Sequence, residues 1–284
     1  MLIWSGMQII DGRKIRDQIL VDLKSRIASL SFKPVFCDVL VGDNSASTQY
    51  VKMKEKTAEA LGIKTYPAVF SESITTEDLI TEIQKIAQVS NMSGLIIQLP
   101  LPSHIDTKRV LNSVPQEIDV DSISITSSEK FYSNEPVFVF PTAAAVMEII
   151  DSLNININDK KIVMVGKGML VGLPVAHLLK NKGASVFSID SSTENLRDVL
   201  HDADLVISAT GQAGLIKGEM LKQGVVIIDA GTSESNGGIS GDVDRPSVEN
   251  IASALSPVPG GVGPVTVAML MQNVVISAER KIKI

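Results

Sequence analysis

The sequence predicts an α/β protein of two α/β domains, the second a Rossmann-like doubly wound parallel sheet, with a cleft between them. Three observations carry this. Short apolar runs alternate with segments of helical period, the pattern of parallel strands joined by crossover helices. One run, KIVMVG at 161–166, leads at once into a glycine-rich turn and a helical segment, the order in which a dinucleotide fold begins. The chain has 284 residues, too many for one simple core and enough for two modest ones.

Each element has its own signal. Residues 12–30 carry apolar residues at helical spacing, and 35–41 (VFCDVLV) reads as a buried strand. Residues 45–61 read as a helix entered through the polar GDNS and left at Gly62, because glycine takes left-handed backbone without steric cost. Residues 64–70 are strand-like. Residues 75–88 form an amphipathic helix with Thr75 or Thr76 as N-cap. GLIIQ at 94–98 is a buried strand, stopped by Pro100 and Pro102.

A second series begins near Pro141. TAAAVMEIIDSL is a helix, 161–166 a strand, VGLPVAHLLKNKG a helix and SVFSID a strand; DLVISAT (204–210) and VVIIDAG (225–231) are further strands. SESNGGISGD reads as a turn-rich surface loop. The boundary between domains falls between 122 and 142.

Composition narrows the function. A net charge of −6 argues against a general nucleic-acid binder. Cys37 is the sole cysteine, which excludes an intramolecular disulfide and a cysteine-rich metal site and suits a reducing cytoplasm. The start, MLIWSGMQIIDGRK, lacks the basic and apolar regions of a signal peptide, and Met7 is a second possible start, with MLIWSG as an extension. No uninterrupted apolar run suggests a membrane span.

Several segments carry chemistry. After strand 161–166 comes Gly166-Lys167-Gly168-Met-Leu-Val-Gly172. Gly166 and Gly168 would let backbone approach a pyrophosphate at the following helix N-terminus; an ordinary glycine turn is the plainer reading. The next strand ends at Asp190, where an acid accepts hydrogen bonds from the adenosine ribose and repels a 2′-phosphate; Lys167 pulls the other way.

Helix 45–61 sets Tyr50 and Lys54 on one partly apolar face. Lys54 is then either a snorkelling surface residue or a desolvated proton-transfer group. Gln98 ends a buried strand at the edge where ligands bind in parallel sheets, unless it merely satisfies local backbone. Asp119 and Asp121 share a side if that segment is extended. The two would suit magnesium, but no neighbouring carboxylate or histidine cluster supports a metal, and none is assigned. Finally, Pro257–Val265 packs three prolines and three glycines into nine residues, a stiff loop feeding a helix.

Together these segments resemble the methylenetetrahydrofolate dehydrogenase/cyclohydrolase family. PVPGGVGPVT is similar to its PVPGGVGPMT signature, with Val265 for Met. VGDNSASTQYVKMKEK resembles its VGDxxASxxYVxxKxK, and QLPLP matches without change. DVDS resembles DVDG, with Ser122 for Gly. The usual aromatic-His/Asn-Pro continuation is ISITSSEKF here, and Pro141-Thr-Ala-Ala-Ala145 replaces Cys-Thr-Pro-x-Gly. At the dinucleotide site, where relatives read GRSxxVGxP and His-Ser, this chain has Lys167 for Arg, Gly168 for Ser and Asp190 for His, and keeps Ser191.

The resemblance spans about Ile9 to Asn273. It implies oxidation of 5,10-methylenetetrahydrofolate with NAD(P) and hydrolysis of the methenyl product to 10-formyltetrahydrofolate, in one-carbon metabolism. It implies Lys54 as the catalytic lysine, Gln98 hydrogen-bonded to it, Tyr50 stacked on folate and Asp121 on the pterin; these four form the catalytic set. Pro259, Gly260, Gly261 and Thr266 would line the folate site with Tyr50 and Asp121. Gly166, Lys167, Gly168, Gly172, Asp190, Ser191 and Thr232 would hold the dinucleotide, with NAD favoured over NADP. The expected domains are 7–138 plus 264–284, binding tetrahydrofolate, and 139–263, binding the dinucleotide. Helix 265–280 would return to the first. A cytoplasmic homodimer with no nucleic-acid or membrane partner is expected. The altered 122–145 stretch keeps a dehydrogenase without the hydrolytic step open, and, further off, a non-catalytic binding paralogue.

Overall fold

The computed structural model describes residues 6–235 and 238–282; residues 1–5 of the MLIWSG extension lie outside the described residues. In chain order the elements begin β1 (Gln8–Ile9), α1 (Gly12–Ala28), β2 (Val35–Val41), α2 (Ser45–Leu61), β3 (Lys64–Phe70), α3 (Thr76–Ala87), β4 (Met92–Ile97), α4 (Thr107–Leu111), α5 (Ile125–Tyr132) and α6 (Pro141–Ser152). They continue β5 (Ile162–Val165), α7 (Gly172–Asn181), β6 (Val186–Ile189), α8 (Leu196–Leu200), β7 (Leu205–Ser208), β8 (Val226–Asp229), β9 (Ser233–Ser235), β10 (Gly238–Ser240), α9 (Arg245–Val248), β11 (Ala254–Ser256) and α10 (Val262–Ile282). Two compact units result: Gln18–Pro141 with Val267–Ile284, and Thr142–Thr266 with the residues leading up to Asp17.

The unit built on Gln18–Pro141 has a three-stranded parallel sheet in the order β3-β2-β4. All seven residues of the central β2 are buried, so apart from Asp38 its run is apolar on both faces rather than alternating. Val35, Cys37 and Val39 share one core with Leu79, Ile83 and Ile86 of α3. Phe36, on the other face, clusters with Leu23 of α1, Leu61 of α2 and Met271 and Val274 of α10. Gly94 of β4 permits that approach: a Cβ there would lie 2.7 Å from Val274 Cγ2.

By length and composition α10 is apolar enough to cross a membrane, yet 61% of that stretch is buried in protein. Its polar residues are used inside the unit. Asn273 Nδ2 donates to the carbonyls of Val120 and Val139 at 2.8 Å each, and Ser277 Oγ donates to Glu117 O at 2.9 Å. It is the core helix of a folded unit.

The caps place the helices. Asn44 Oδ1 accepts from Ser47 N at 2.9 Å to open α2, and Gly62 closes it at φ +88°. Thr75, not Thr76, caps α3: its Oγ1 accepts from Asp78 N at 3.1 Å. Thr76 is buried and accepts from Asp106 N at 3.0 Å. The divergent ISITSSEKF segment forms α5, capped by Ser124, with Phe131 packed edge-on against Phe140 at 4.9 Å between centroids.

The other unit has a six-stranded sheet, order β1-β11-β8-β7-β5-β6, every neighbouring pair parallel. Strand order reverses at β5, with β6 on one side and β7 on the other, which is the doubly wound arrangement. Two details differ from expectation. β1 pairs with β11, so the residues before α1 join this unit and not the folate-binding domain drawn from residue 7. Two residues of extended chain are too few for periodicity to reveal. The segment read as a loop, SESNGGISGD, contains an antiparallel hairpin, β9 with β10. The Asn-Gly dipeptide between those strands is its sequence signal, although residues 236 and 237 lie outside the described residues.

Candidate active site

In the unit built on Gln18–Pro141, α2 runs beside the sheet and delivers Lys54 into the protein. Its side chain is 4% exposed. The Nζ donates to Gln98 Oε1 at 2.8 Å, and Gln98 is turned for this by donating its own Nε2 to Leu99 O at 2.7 Å. The ammonium lies 4.8 Å from the centroid of the Tyr50 ring, one helical turn back. Three expected residues therefore meet, and Lys54 is not a snorkelling surface lysine.

A fourth partner was not expected. Asp38, from the middle of β2, has a fully buried side chain with Oδ2 2.6 Å from Lys54 Nζ. Neither of its oxygens has another partner among the described residues, so the carboxylate faces Lys54 alone across this ion pair. Burial pushes the Asp38 carboxyl above its ordinary range, against the pull of Lys54. Lys54 is thus held by a buried carboxylate as well as by Gln98. The signal lay in the sequence: one acid inside an apolar strand is costly unless it has a partner.

Asp121, between α4 and α5, feels the same charges. Burial, opposed by Lys54 and reinforced by Asp119 and Asp38, raises its carboxyl to about 6. The phenol of Tyr50 is pushed up to about 12 by burial and then by Asp121 and Asp38. The extended Asp119–Asp121 segment is not found. Ser122 N donates to Asp119 O at 3.0 Å in a tight turn, and Asp119 Oδ2 accepts from Ser124 N at 3.1 Å. Asp119 is thereby spent on structure. Ser122 takes φ +60°, a backbone that favours glycine, and its Oγ donates to Phe138 O at 3.0 Å.

In the unit with the six-stranded sheet, the turn after β5 is shaped for close approach. Gly166 has φ +103°, and a Cβ on it would lie 2.5 Å from Ala209 O; one on Gly172 would lie 2.0 Å from Gly166 O. Gly168 faces open space. Val171 gives α7 no side-chain cap, Leu173 N donates to Gly168 O at 3.1 Å and Pro174 has no N–H, so Gly172 supplies the first-turn N–H left for an anion. These residues fit the pyrophosphate of a dinucleotide.

Lys167 Nζ reaches Asp190 Oδ2 at 2.8 Å. Ser192, rather than Ser191, completes that carboxylate's partners, donating from N at 3.0 Å and from Oγ at 2.6 Å to Oδ1. Lys167 first, then Ser192, hold Asp190 well below the usual carboxylate range. Thr232 is exposed beyond β8, its carbonyl turned to Gly211, where a Cβ would stand 3.3 Å away.

Two buried carboxylates that sequence reading missed shape the same rim. Asp242 accepts from Ser208 Oγ and Thr210 N at 2.7 Å and from Gln212 N at 2.9 Å. Asp229 accepts from Gly231, Asp242 and Val243 N–H groups at 3.0–3.2 Å, and burial lifts it to about 6. They join segments far apart in sequence, which local pattern cannot show.

The proline-glycine loop lies between β11 and α10. Gly12 N donates to Gly260 O at 2.9 Å, and a Cβ on Gly12 would fall 1.8 Å from Gly261 O. Gly261 is itself closed in by Ser256 Oγ, 2.1 Å from its would-be Cβ. Pro259 is exposed, Val265 is buried, and Thr266 Oγ1 bonds back to Val262 O at 3.2 Å.

Comparison with known proteins agrees with this geometry. Residues 10–121 match the catalytic domain of tetrahydrofolate dehydrogenase/cyclohydrolase, and residues 141–282 match its NAD(P)-binding domain. The bifunctional protein FolD of Staphylococcus aureus strain Newman is 35% identical over 278 residues, 96% of this chain and 97% of that protein. The crystal structure of the bifunctional FolD of Campylobacter jejuni is similar, with TM-score 0.93 and 35% identity, covering 97% of this chain and 99% of its own. That of Trypanosoma brucei FolD, complexed with NADP and an inhibitor, has TM-score 0.94 and 32% identity, covering 99% and 100%. The chain belongs to the tetrahydrofolate dehydrogenase/cyclohydrolase family.

Proposed function

We propose that this protein oxidises 5,10-methylenetetrahydrofolate to the methenyl form with a nicotinamide dinucleotide and hydrolyses that product to 10-formyltetrahydrofolate. The observation that carries the reading is the Lys54 amine, buried against Gln98 at 2.8 Å and set over Tyr50. A held amine suits proton movement on water and on a ring nitrogen. Tyr50 offers a flat face to the pterin, and Asp121 a carboxylate for its N–H donors. Because Lys54, Gln98 and Tyr50 stand together, both activities are favoured over dehydrogenation alone or mere binding.

The bound nicotinamide supplies the hydride acceptor. This chain's part is to hold it: the turn Gly166–Gly172 takes the pyrophosphate, and Asp190 with Lys167 and Ser191 borders the adenosine ribose. Thr232 stands at the same rim, while Pro259, Gly260, Gly261 and Thr266 serve the folate. An ionised Asp190 repels a 2′-phosphate, so NAD is the preferred dinucleotide. The enzyme works as a cytoplasmic homodimer, which fits its single buried cysteine and its family. The test is a spectrophotometric assay with methylenetetrahydrofolate, run separately with NAD and NADP, followed by decay of the methenyl product. Absence of dinucleotide-dependent methenyl formation would refute the assignment.

A further inference from the structure

We propose that Asp38 is the proton partner of Lys54, so that a lysine–aspartate pair, rather than a lysine alone, moves protons in the hydrolysis. This rests on the reading of Lys54 given above. Asp38 has no other evident use. It interrupts an apolar strand, its side chain is fully buried, and Lys54 Nζ is 2.6 Å from Oδ2. Its register neighbours, Pro67 on β3 and Ile96 on β4, carry no charge. The titratable groups that act on it or on Lys54 are Glu55 of α2, the Tyr50 phenol, Cys37 on the opposite face of β2, and Asp121. None of these is within the reach of Nζ that Asp38 has.

A buried amine needs a lone pair to take a proton from water, yet an adjacent carboxylate favours the ammonium. The pair reconciles these demands because it shares one proton. When that proton sits on Asp38, the Lys54 amine is free. Water oxygen bonds to the methenyl carbon while its proton passes to Lys54. The ammonium then protonates the ring nitrogen, which keeps the electron pair of the breaking carbon–nitrogen bond. The carbinol oxygen closes to a formyl group, and its proton leaves to solvent. One water enters, one proton is released, and the pair returns to its starting state. Asp38, its side chain fully buried against Lys54, acts through that amine and is a positioning residue.

A pair that keeps one proton over a wide pH span predicts a flat rate profile. The test compares wild type with Asp38→Asn and, should that fail to fold, Asp38→Val, which continues the apolar strand. Lysine ε-carbon NMR, with the Lys54 signal identified by its absence in Lys54→Met, follows Lys54 without substrate. Cyclohydrolase kcat is measured at saturating folate after subtraction of buffer hydrolysis. The expected result is that Lys54 titrates at least one pH unit lower in the variant. Wild-type kcat should vary less than three-fold between pH 6 and 9, while that of the variant should rise at least ten-fold along the Lys54 titration. An unmoved Lys54 titration overturns the pair. A moved titration with a flat variant profile overturns its role in hydrolysis. A wild-type enzyme that hydrolyses no methenyl substrate, whatever the NMR shows, overturns the functional reading itself and the role with it.

Discussion

Lys167 and Asp190 form a 2.8 Å ion pair between the glycine turn after β5 and the end of β6. A 2′-phosphate entering there meets an ionised carboxylate and competes with it for the same lysine. Wild type is therefore expected to show higher kcat/KM with NAD than with NADP. Asp190→Ser frees Lys167 for the phosphate and should move the ratio toward NADP by ten-fold or more, whereas Lys167→Ala should not. Steady-state kinetics with both dinucleotides decide it; an NADP preference insensitive to Asp190→Ser would show that Asp190 takes no part in the choice.

Removing one member of a buried ion pair strands the other. Lys54→Met should abolish methenyl hydrolysis, spare dinucleotide binding, and lower stability by about 3 kcal/mol. Adding Asp38→Val to Lys54→Met should recover most of that loss without restoring activity. Urea unfolding of the single and double variants gives the comparison.

Asp121, raised to about 6, has a signed pH dependence. Its stability contribution is fully present below the unfolded pKa and is lost as pH rises through about 6. Asp121→Asn should thus gain on wild type between pH 4 and 8, by about 1–2 kcal/mol given the group's partial exposure. Folate binding has the opposite sign, since the pterin needs the ionised acid. Calorimetry should show wild-type affinity falling toward that of Asp121→Asn as pH drops from 7.5 to 5. Equal affinity at both pH values would mean that the carboxylate does not meet the pterin.

Asp242→Ala would leave the buried Ser208 hydroxyl and the part-buried Thr210 N–H without their acceptor, while Gln212 N keeps Thr210 Oγ1 at 3.2 Å. At about 1–3 kcal/mol for each unsatisfied group, a loss of about 2 kcal/mol or more is expected in chemical denaturation. Dinucleotide affinity should fall as well, because the Ser208–Gln212 segment borders the Gly166 turn. A variant of wild-type stability would show that water replaces the carboxylate.

The β2, α2 and β3 boundaries were legible because buried strands, an Asn cap and a left-handed glycine leave strong local marks. Lys54 and Gln98 were legible as candidates by their place on a helix face and at a strand end. Asp38 was read as part of a strand, since a single polar residue scarcely changes an apolar pattern. Asp242 and Asp229 act through partners up to 34 residues away, and β1 through a strand near the far end of the chain. Those relations exist only once the sheet has formed.

Cys37 lies on β2 beside Asp38, wholly buried, its thiol pushed far up by burial and then by the carboxylates of Asp38 and Glu55. Alkylating reagents and peroxide need a thiolate they can reach, and here they meet one only when the sheet opens. The rate at which this single thiol is modified is therefore a clock for opening of the unit that carries Lys54. Folate that stabilises that unit should slow the clock in proportion to its occupancy, so binding can be read from thiol labelling without any turnover.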